Sequence, residues 1–227
     1  MLQEADNALL SALVLCSGVA CIAAQSLGRS RAVYVFKPLT MLLILALALQ
    51  PSPSTPAAYR WLVVTALLFS LVGDVLLMLP SDRFAAGLAS FLVAHLVYTA
   101  AFAGEAGLGP SLAWLLPFAA AGLACDWRLW PGVPRPLRLP VLLYSTAIVL
   151  MGWQAAARWL AVGQPGALLA CVGAILFMAS DAALAFDRFR RPLRAAPLLV
   201  LGSYFAAQWL IALSVGVGEA LVAGWIR

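Results

Sequence analysis

Charge is scarce in this sequence: Asp, Glu, Lys and Arg make up 10% of its 227 residues, against roughly 25% in an ordinary soluble domain. Nine acids, 14 bases and one histidine cannot furnish the polar skin of a water-soluble globule, and that class is excluded. With His95 the only histidine, a three-histidine zinc centre is excluded too. The four cysteines, Cys16, Cys21, Cys125 and Cys171, form no CxxC or ligand-like cluster and read as thiols packed in apolar segments. Neither a basic face nor a basic tail is present, because the +5 charge comes from arginines scattered between apolar runs, so no nucleic-acid partner is expected. The start, MLQEADN, is acidic where a cleavable signal peptide is basic, so the first apolar run is expected to stay.

What the sequence has is apolar length. Hydrophobic residues are 64% of the chain, in runs separated by short Pro-, Gly- or Arg-rich breaks such as PSPSTP at Pro51–Pro56, PSDR at Pro80–Arg83, PGVPRP at Pro131–Pro136 and DRFRRP at Asp187–Pro192. A helix needs about 20 residues to cross the hydrocarbon core. The pattern predicts an all-α integral membrane protein, a single polytopic domain over 1–227 with eight spans at 7–25, 33–50, 59–79, 84–104, 111–127, 137–157, 166–186 and 195–217, the fifth kinked at Pro117. Continuous runs of this kind lack the alternation of a barrel. The bases fall unevenly: Arg29, Arg31, Arg83, Arg128, Arg135, Arg138, Arg188, Arg190, Arg191 and Arg194 go with the odd-numbered loops, whereas Arg60, Arg158 and Arg227 go with the even loops and the termini. Since cytoplasmic loops retain Arg and Lys, both termini are expected outside, with the odd loops in the cytoplasm. Trp61, Trp127, Trp130, Trp153, Trp159 and Trp225 read as an interfacial aromatic belt.

Ionisable groups well inside a span each demand a reason, at about 2.5 to 3.5 kcal/mol apiece on insertion scales. Lys37 lies in the second span, Asp74 in the third, His95 and Tyr98 in the fourth, Tyr144 in the sixth, Asp181 in the seventh, and Tyr204 and Gln208 in the eighth. At about 1.5 Å per residue, Lys37 and Asp74 lie about 6 to 8 Å from the arginine-rich side, Tyr144 and Asp181 about 9 to 10 Å, and His95 and Tyr204 about 15 Å. Six groups on six spans thus fall in one half of the membrane, as an internal polar cavity open to the cytoplasmic leaflet requires. His95 and Tyr98, at i and i+3, share a helix face. The plainer alternative is a Lys37–Asp74 brace with the remaining groups hydrogen-bonding between helices, although Asp181 then lacks a partner. Asp82, Asp126, Arg128 and Asp187, at span ends, read as solvated flank charges. LFSLVGDVLL around Asp74 and LFMASDAAL around Asp181 occupy the third helix of each set of four, a faint echo consistent with two parallel four-helix repeats that set the carboxylates across a pseudo-twofold axis.

KPLT at Lys37–Thr40, LLFSLVGDVLLM at Leu67–Met78, FAAGLASFLVAHLVY at Phe84–Tyr98, GAILFMASDAALAFDRF at Gly173–Phe189 and SYFAAQWLI at Ser203–Ile211 together resemble the YhhN-like lysoplasmalogenase family. That resemblance implies a membrane-embedded hydrolase that cleaves the vinyl ether bond of lysoplasmalogens to a fatty aldehyde and glycerophosphoethanolamine or glycerophosphocholine, and a bacterial inner (plasma) membrane as its place. Members often carry two adjacent tyrosines before Ala-Gln, where this chain has Tyr204 and Phe205; no role of the second hydroxyl carries over. Protonating the outer alkene carbon of a vinyl ether gives an oxocarbenium ion that water attacks, and two carboxyl groups suit this chemistry, one as acid and one as cation stabiliser. Asp74 and Asp181 are the expected catalytic pair. Lys37 is expected to meet the lipid phosphate or tune Asp74, and His95, Tyr98, Tyr144, Ser180, Tyr204 and Gln208 to position water and headgroup. No cofactor, metal or obligate protein partner is expected beyond the lysophospholipid and membrane lipids, although an aspartate-bound Mg2+ remains compatible with the sequence. The competing class is a proton-coupled transporter using the same intramembrane aspartates.

The arginine asymmetry carries a direct test. A reporter active only in the cytoplasm is expected to be silent when fused after Arg227 and active when placed after Asp187; a bright carboxy-terminal fusion inverts the orientation.

Overall fold

The computed structural model describes residues 2–50, 55–81, 83–107, 112–193 and 195–216. Asp82, Arg194, Trp225 and Arg227, the start of the break at Pro51 and the expected span ends at Ser111 and Val217 lie outside them. The elements are α1 (Leu2–Ser26), α2 (Ser30–Ala48), α3 (Ala57–Met78), α4 (Phe84–Ala106), α5 (Leu115–Leu129), α6 (Arg138–Val162), α7 (Pro165–Phe189) and α8 (Ser203–Gly216), with no strand among the described residues. Seven segments are long and apolar enough to cross a membrane, α8 counting with the turn before it. Large apolar side chains such as Leu9, Val19, Val72 and Leu123 point outward. That reversal of the soluble pattern is the surface a bilayer solvates, and the chain is a multi-spanning helical bundle.

The fifth element departs from expectation. Its 15 residues extend about 22 Å at 1.5 Å per residue, short of the roughly 30 Å hydrocarbon core. Pro117, far from kinking it, is its third residue, where a missing N–H has no helical acceptor to disappoint. Only Leu129 of α5 is buried, so this helix stands against α6 and touches α7 lightly.

Close contacts elsewhere run through small residues, as helix pairs in lipid require. A Cβ at Gly173 of α7 would lie 2.8 Å from the Ala207 carbonyl and 2.7 Å from Ile211 Cγ1 of α8, and one at Gly73 of α3 would lie 2.7 Å from the Phe91 ring of α4. Interhelical hydrogen bonds add to these: Ser17 with Thr40 at 2.8 Å, and Ser90 donating to the Phe69 carbonyl at 2.6 Å. The main packing pairs are α1 with α2, α3 with α4, α6 with α7, α7 with α8, α4 with α6 and α2 with α8. Under a four-plus-four correspondence, α3–α4 maps onto α7–α8, α2–α3 onto α6–α7 and α4–α6 onto α8–α2, so the pairing follows the echo seen in the sequence.

Ahead of α8 lies a π-helical turn, Pro197–Gly202. Its wider winding exposes carbonyls, and hydroxyls answer them: Ser203 donates to Leu199 O, and Ser180 of α7 to Val200 O at 2.9 Å. A π turn rotates everything after it, and here it sets Tyr204 facing inward.

At the end away from the arginine-rich loops the bundle is closed by polar groups. Arg158, expected in a loop, is instead buried within α6, its guanidinium 4.1 Å above the Tyr59 ring. The Tyr59 hydroxyl shares a 2.6 Å hydrogen bond with Ser214, and Gln154 donates to the Gly107 carbonyl at 2.6 Å. Cys21 and Cys171 are buried as expected; Cys125 is half-buried and Cys16 faces outward. Exposed Trp61, Trp127, Trp130 and Trp159 fit the aromatic belt, and Trp153 is half-buried.

Because α7 and α8 carry Asp181 and Tyr204, the spacing set at Gly173 matters. Gly173→Ala is expected to lower stability by about 1 to 3 kcal/mol through overpacking, read as a lower unfolding temperature in detergent. Gly104→Ala, which meets nothing within 4 Å, is expected to be neutral or slightly stabilising. Equal behaviour of the two variants would refute this account of the α7–α8 contact.

Candidate active site

Six of the intramembrane polar groups form two clusters, one around each aspartate. Asp74 is 2% exposed and sits one turn before the end of α3. Lys37 Nζ of α2 lies 2.8 Å from its Oδ1, and the Tyr204 hydroxyl of α8 donates to its Oδ2 at 2.5 Å. Lys37 gets there because Pro38 follows it inside α2 and the bundle buries that face. The cluster is a desolvated ion pair with a third helix supplying a neutral donor, the arrangement that makes a buried pair tolerable.

Asp181, in α7, is half-buried and has a different set. The Tyr144 hydroxyl of α6 donates to its Oδ2 at 2.5 Å, and His95 Nε2 of α4 lies 3.5 Å from the same oxygen. His95 is wholly buried, yet neither ring nitrogen has a hydrogen-bond partner among the described residues. Buried polar atoms are nearly always satisfied; an orphaned imidazole beside a carboxylate marks a place where water or a ligand group completes the bonding.

Each aspartate therefore takes one partner from the second helix of its own half (Lys37, Tyr144) and one from the last helix of the other (Tyr204, His95). This is the symmetry the sequence echo suggests. The carboxylates do not meet directly; their partner sets join at Phe177, fully buried, whose ring packs 5.5 Å from Tyr204 and 4.7 Å from His95 between centroids. Sequence reading missed Phe177, although it lies one turn before Asp181 on the same face of α7.

The other expected residues sit around this core. Tyr98 lies one turn beyond His95, and its hydroxyl donates to Gln208 Oε1 at 2.6 Å while the Gln208 amide nitrogen is buried without a partner. Ser180 is buried and engaged with the π turn. Asp126 and Asp187, read as solvated, have partners: Ser145 donates to Asp126 at 2.8 Å, and Asp187 accepts the Leu193 N–H at 2.7 Å. Among the described residues, no three His, Cys, Asp or Glu side chains gather to hold a metal ion.

Two spaces reach the clusters from opposite sides. A half-open groove of about 580 Å³ runs between α5, α6 and α7; its lining is apolar apart from Tyr144, Ser145, Asp126 and Asp181. A second cavity, about 350 Å³, lies at the arginine-rich end and is lined by Gln25, Ser30, Tyr34, Lys37 and Asp187 together with apolar residues of α3, α7 and the π turn. So Asp181 faces an oily space and Lys37 a polar one.

Comparison with known proteins agrees with this picture. The family model described as the YhhN family matches residues 32–215. The membrane protein YhhN of Shigella flexneri is 35% identical over 188 residues, covering 80% of this chain and 86% of that protein. Lysoplasmalogenase TMEM86B of Sus scrofa is 41% identical over 159 residues, 69% of this chain and 64% of its own length; its counterpart in Homo sapiens is 39% identical over 163 residues, 72% and 66% respectively. No solved structure matches. The match runs from the start of α2 to the end of α8 and takes in every member of the two aspartate clusters: this chain belongs to the YhhN family.

Proposed function

We propose that the protein is a membrane-embedded ether hydrolase that cleaves the vinyl ether bond of lysoplasmalogens. The observation that carries this reading is Asp181, backed by the buried and unsatisfied His95, at the wall of an apolar groove of a size to hold a lipid chain. Similarity to the lysoplasmalogenases of pig and human supplies the substrate class.

The two carboxyl groups divide the work by their partners. Asp74, held against Lys37, serves as the carboxylate, and its negative field stabilises positive charge that develops nearby. Among the described residues Asp181 has hydroxyl and imidazole neighbours and no lysine or arginine partner, so it is placed to deliver a proton. In this scheme the Asp181 proton passes to the outer alkene carbon and the positive charge settles on the inner carbon and the ether oxygen. A water molecule held by His95 attacks the inner carbon and returns a proton to the carboxylate. The hemiacetal then breaks its bond to the glycerol oxygen, which takes up the hydroxyl proton, leaving an aldehyde and a glycerophospho-base. Tyr144 and Tyr204 orient the two carboxyl groups, Phe177 keeps the rings apart, Ser180 steadies the π turn that aims Tyr204, and the Tyr98–Gln208 pair closes the site one turn further in. Lys37, at the wall of the polar cavity, acts through its ion pair with Asp74. The arginine asymmetry supports a site towards the cytoplasmic leaflet.

Purified protein in detergent is expected to release aldehyde from lysoplasmenyl-ethanolamine with no gradient present; a carrier would transport between compartments and release none. Asp181→Asn is expected to lower turnover about 100-fold or more while the protein stays folded, with Asp6→Asn, on an exposed position, unchanged. Asp74→Asn alone strands Lys37 and is expected to destabilise by about 3 to 5 kcal/mol. Adding Lys37→Met should restore folding and leave turnover low. A folded Asp181→Asn protein with full activity would rule the mechanism out.

Carbon protonation has its own signature. Turnover in deuterated water is expected to slow and to place one deuterium on the carbon next to the aldehyde, read by mass spectrometry of aldehyde trapped as it forms. Unlabelled aldehyde would exclude protonation at that carbon.

A further inference from the structure

The groove between α5, α6 and α7 is built unlike the rest of the bundle. Gly122 and Gly152 bring α5 and α6 together at Val149 and Phe118, as glycines do elsewhere, but α5 is short and has a single buried residue, and about 580 Å³ is left beside Asp181. At about 30 Å³ for a water-sized group, that space holds roughly 20 methylene-sized groups, one hydrocarbon chain and not two. From Asp181 the groove continues along α7 to Cys171, about 15 Å at helical rise, and ends at Trp114 and Trp159. Its polar groups are confined to the half nearer the arginine-rich end: Tyr144, Ser145 and Asp181 at about one level, Asp126 nearer the interface. At that end Leu129, Val133 and Val141 pack with Phe189 into a separate apolar plug. Beside the plug a cavity of about 760 Å³ gathers Arg128, Arg190 and Arg191 with Trp127, a patch of positive charge where a lipid phosphate would lie.

We propose that this groove binds the single hydrocarbon chain of a lysophospholipid taken in sideways from the bilayer, with the phosphate at Arg128, Arg190 and Arg191, and with Trp114 and Trp159 setting the longest chain accepted. The substrate's reacting bond sits at Asp181 only if the hydrolase reading holds; the groove's occupancy by a lipid chain does not depend on it. Charge decides the direction in which the lipid lies: the only basic cavity touching α5 and α7 among those described is at the arginine-rich end, so the tail points to the tryptophans. Lateral access follows from α5, which is too short to seal the groove and buries too little to be held fast against α7.

Two measurements separate this proposal from the activity. A lysophosphatidylcholine carrying a diazirine near the end of its chain is photolysed with the full-length protein in detergent, and the adducts are mapped by mass spectrometry. Adducts concentrated on the groove residues Val149, Ile175 and Met178, and displaced by unlabelled lysophospholipid, are expected; adducts spread over outward residues such as Val19 and Val72 would overturn the proposal. For the second measurement, Ile175→Trp fills the groove between Asp181 and the far tryptophans. It is expected to lower kcat/KM for a long-chain lysoplasmalogen by about tenfold or more while sparing a short-chain one, and Trp159→Ala is expected to extend the accepted length. Folded variants with unchanged chain-length preference would refute it. Groove adducts in a protein that releases no aldehyde would sink the hydrolase reading and leave the tail site standing.

Discussion

A charge inside a bilayer cannot be left to the solvent, and that one constraint arranges this molecule. The Lys37–Asp74 pair is its plainest expression. Either group alone would be untenable at that depth, so α2 and α3 must present them to each other, and the Tyr204 hydroxyl draws in α8 to satisfy the second carboxylate oxygen. Once three helices are tied at a point, their neighbours follow from packing: α4 seats on α3 through Gly73 and Gly87, and α7 seats on α8 through Gly173. The second cluster repeats the device with α4, α6 and α7. The bundle is in this sense wound around two carboxylates.

The repeat is faithful in geometry and broken in chemistry. Where one half supplies lysine, the other supplies tyrosine; where one aspartate meets a tyrosine from across the axis, the other meets a histidine. The two acids hold corresponding positions and their partners differ, the asymmetry that the proposed acid and cation-stabiliser roles require. The surroundings diverge in parallel. One cluster adjoins a polar cavity and the other an apolar groove.

Much of this was legible in the sequence because the bilayer allows few solutions. Helix positions follow from run length, and the eight runs correspond to the eight described helices. The depth of Lys37, Asp74, His95, Tyr144, Asp181 and Tyr204 could be computed from rise alone, since regular helices preserve it. Partnership could not. Whether Lys37 reaches Asp74 or some other group depends on helix rotation, and rotation in α8 is reset by a π turn whose sequence, PLLVLG, carries no sign of it beyond Pro197. The groove was invisible for a similar reason: α5 reads as an ordinary apolar run, and only its shortness and loose seating, set by Pro117 near its start, create the space. Arg158 was misplaced because an arginine at the end of a run looks like a flank, and only the packed structure shows Tyr59 beneath it.

That arginine has a consequence for the membrane as a whole. A histidine, several tyrosines and two aspartates spaced a few ångströms apart across helices are the components of a proton wire, and a wire that reached both faces would drain the ion gradient of any energised membrane. Here the series stops. Beyond Tyr98 the fully buried ring of Phe102 stacks on it and stands against Tyr59, over which the Arg158 guanidinium lies. An apolar plug in that place would let the proposed acid–base chemistry proceed inside a membrane without short-circuiting it.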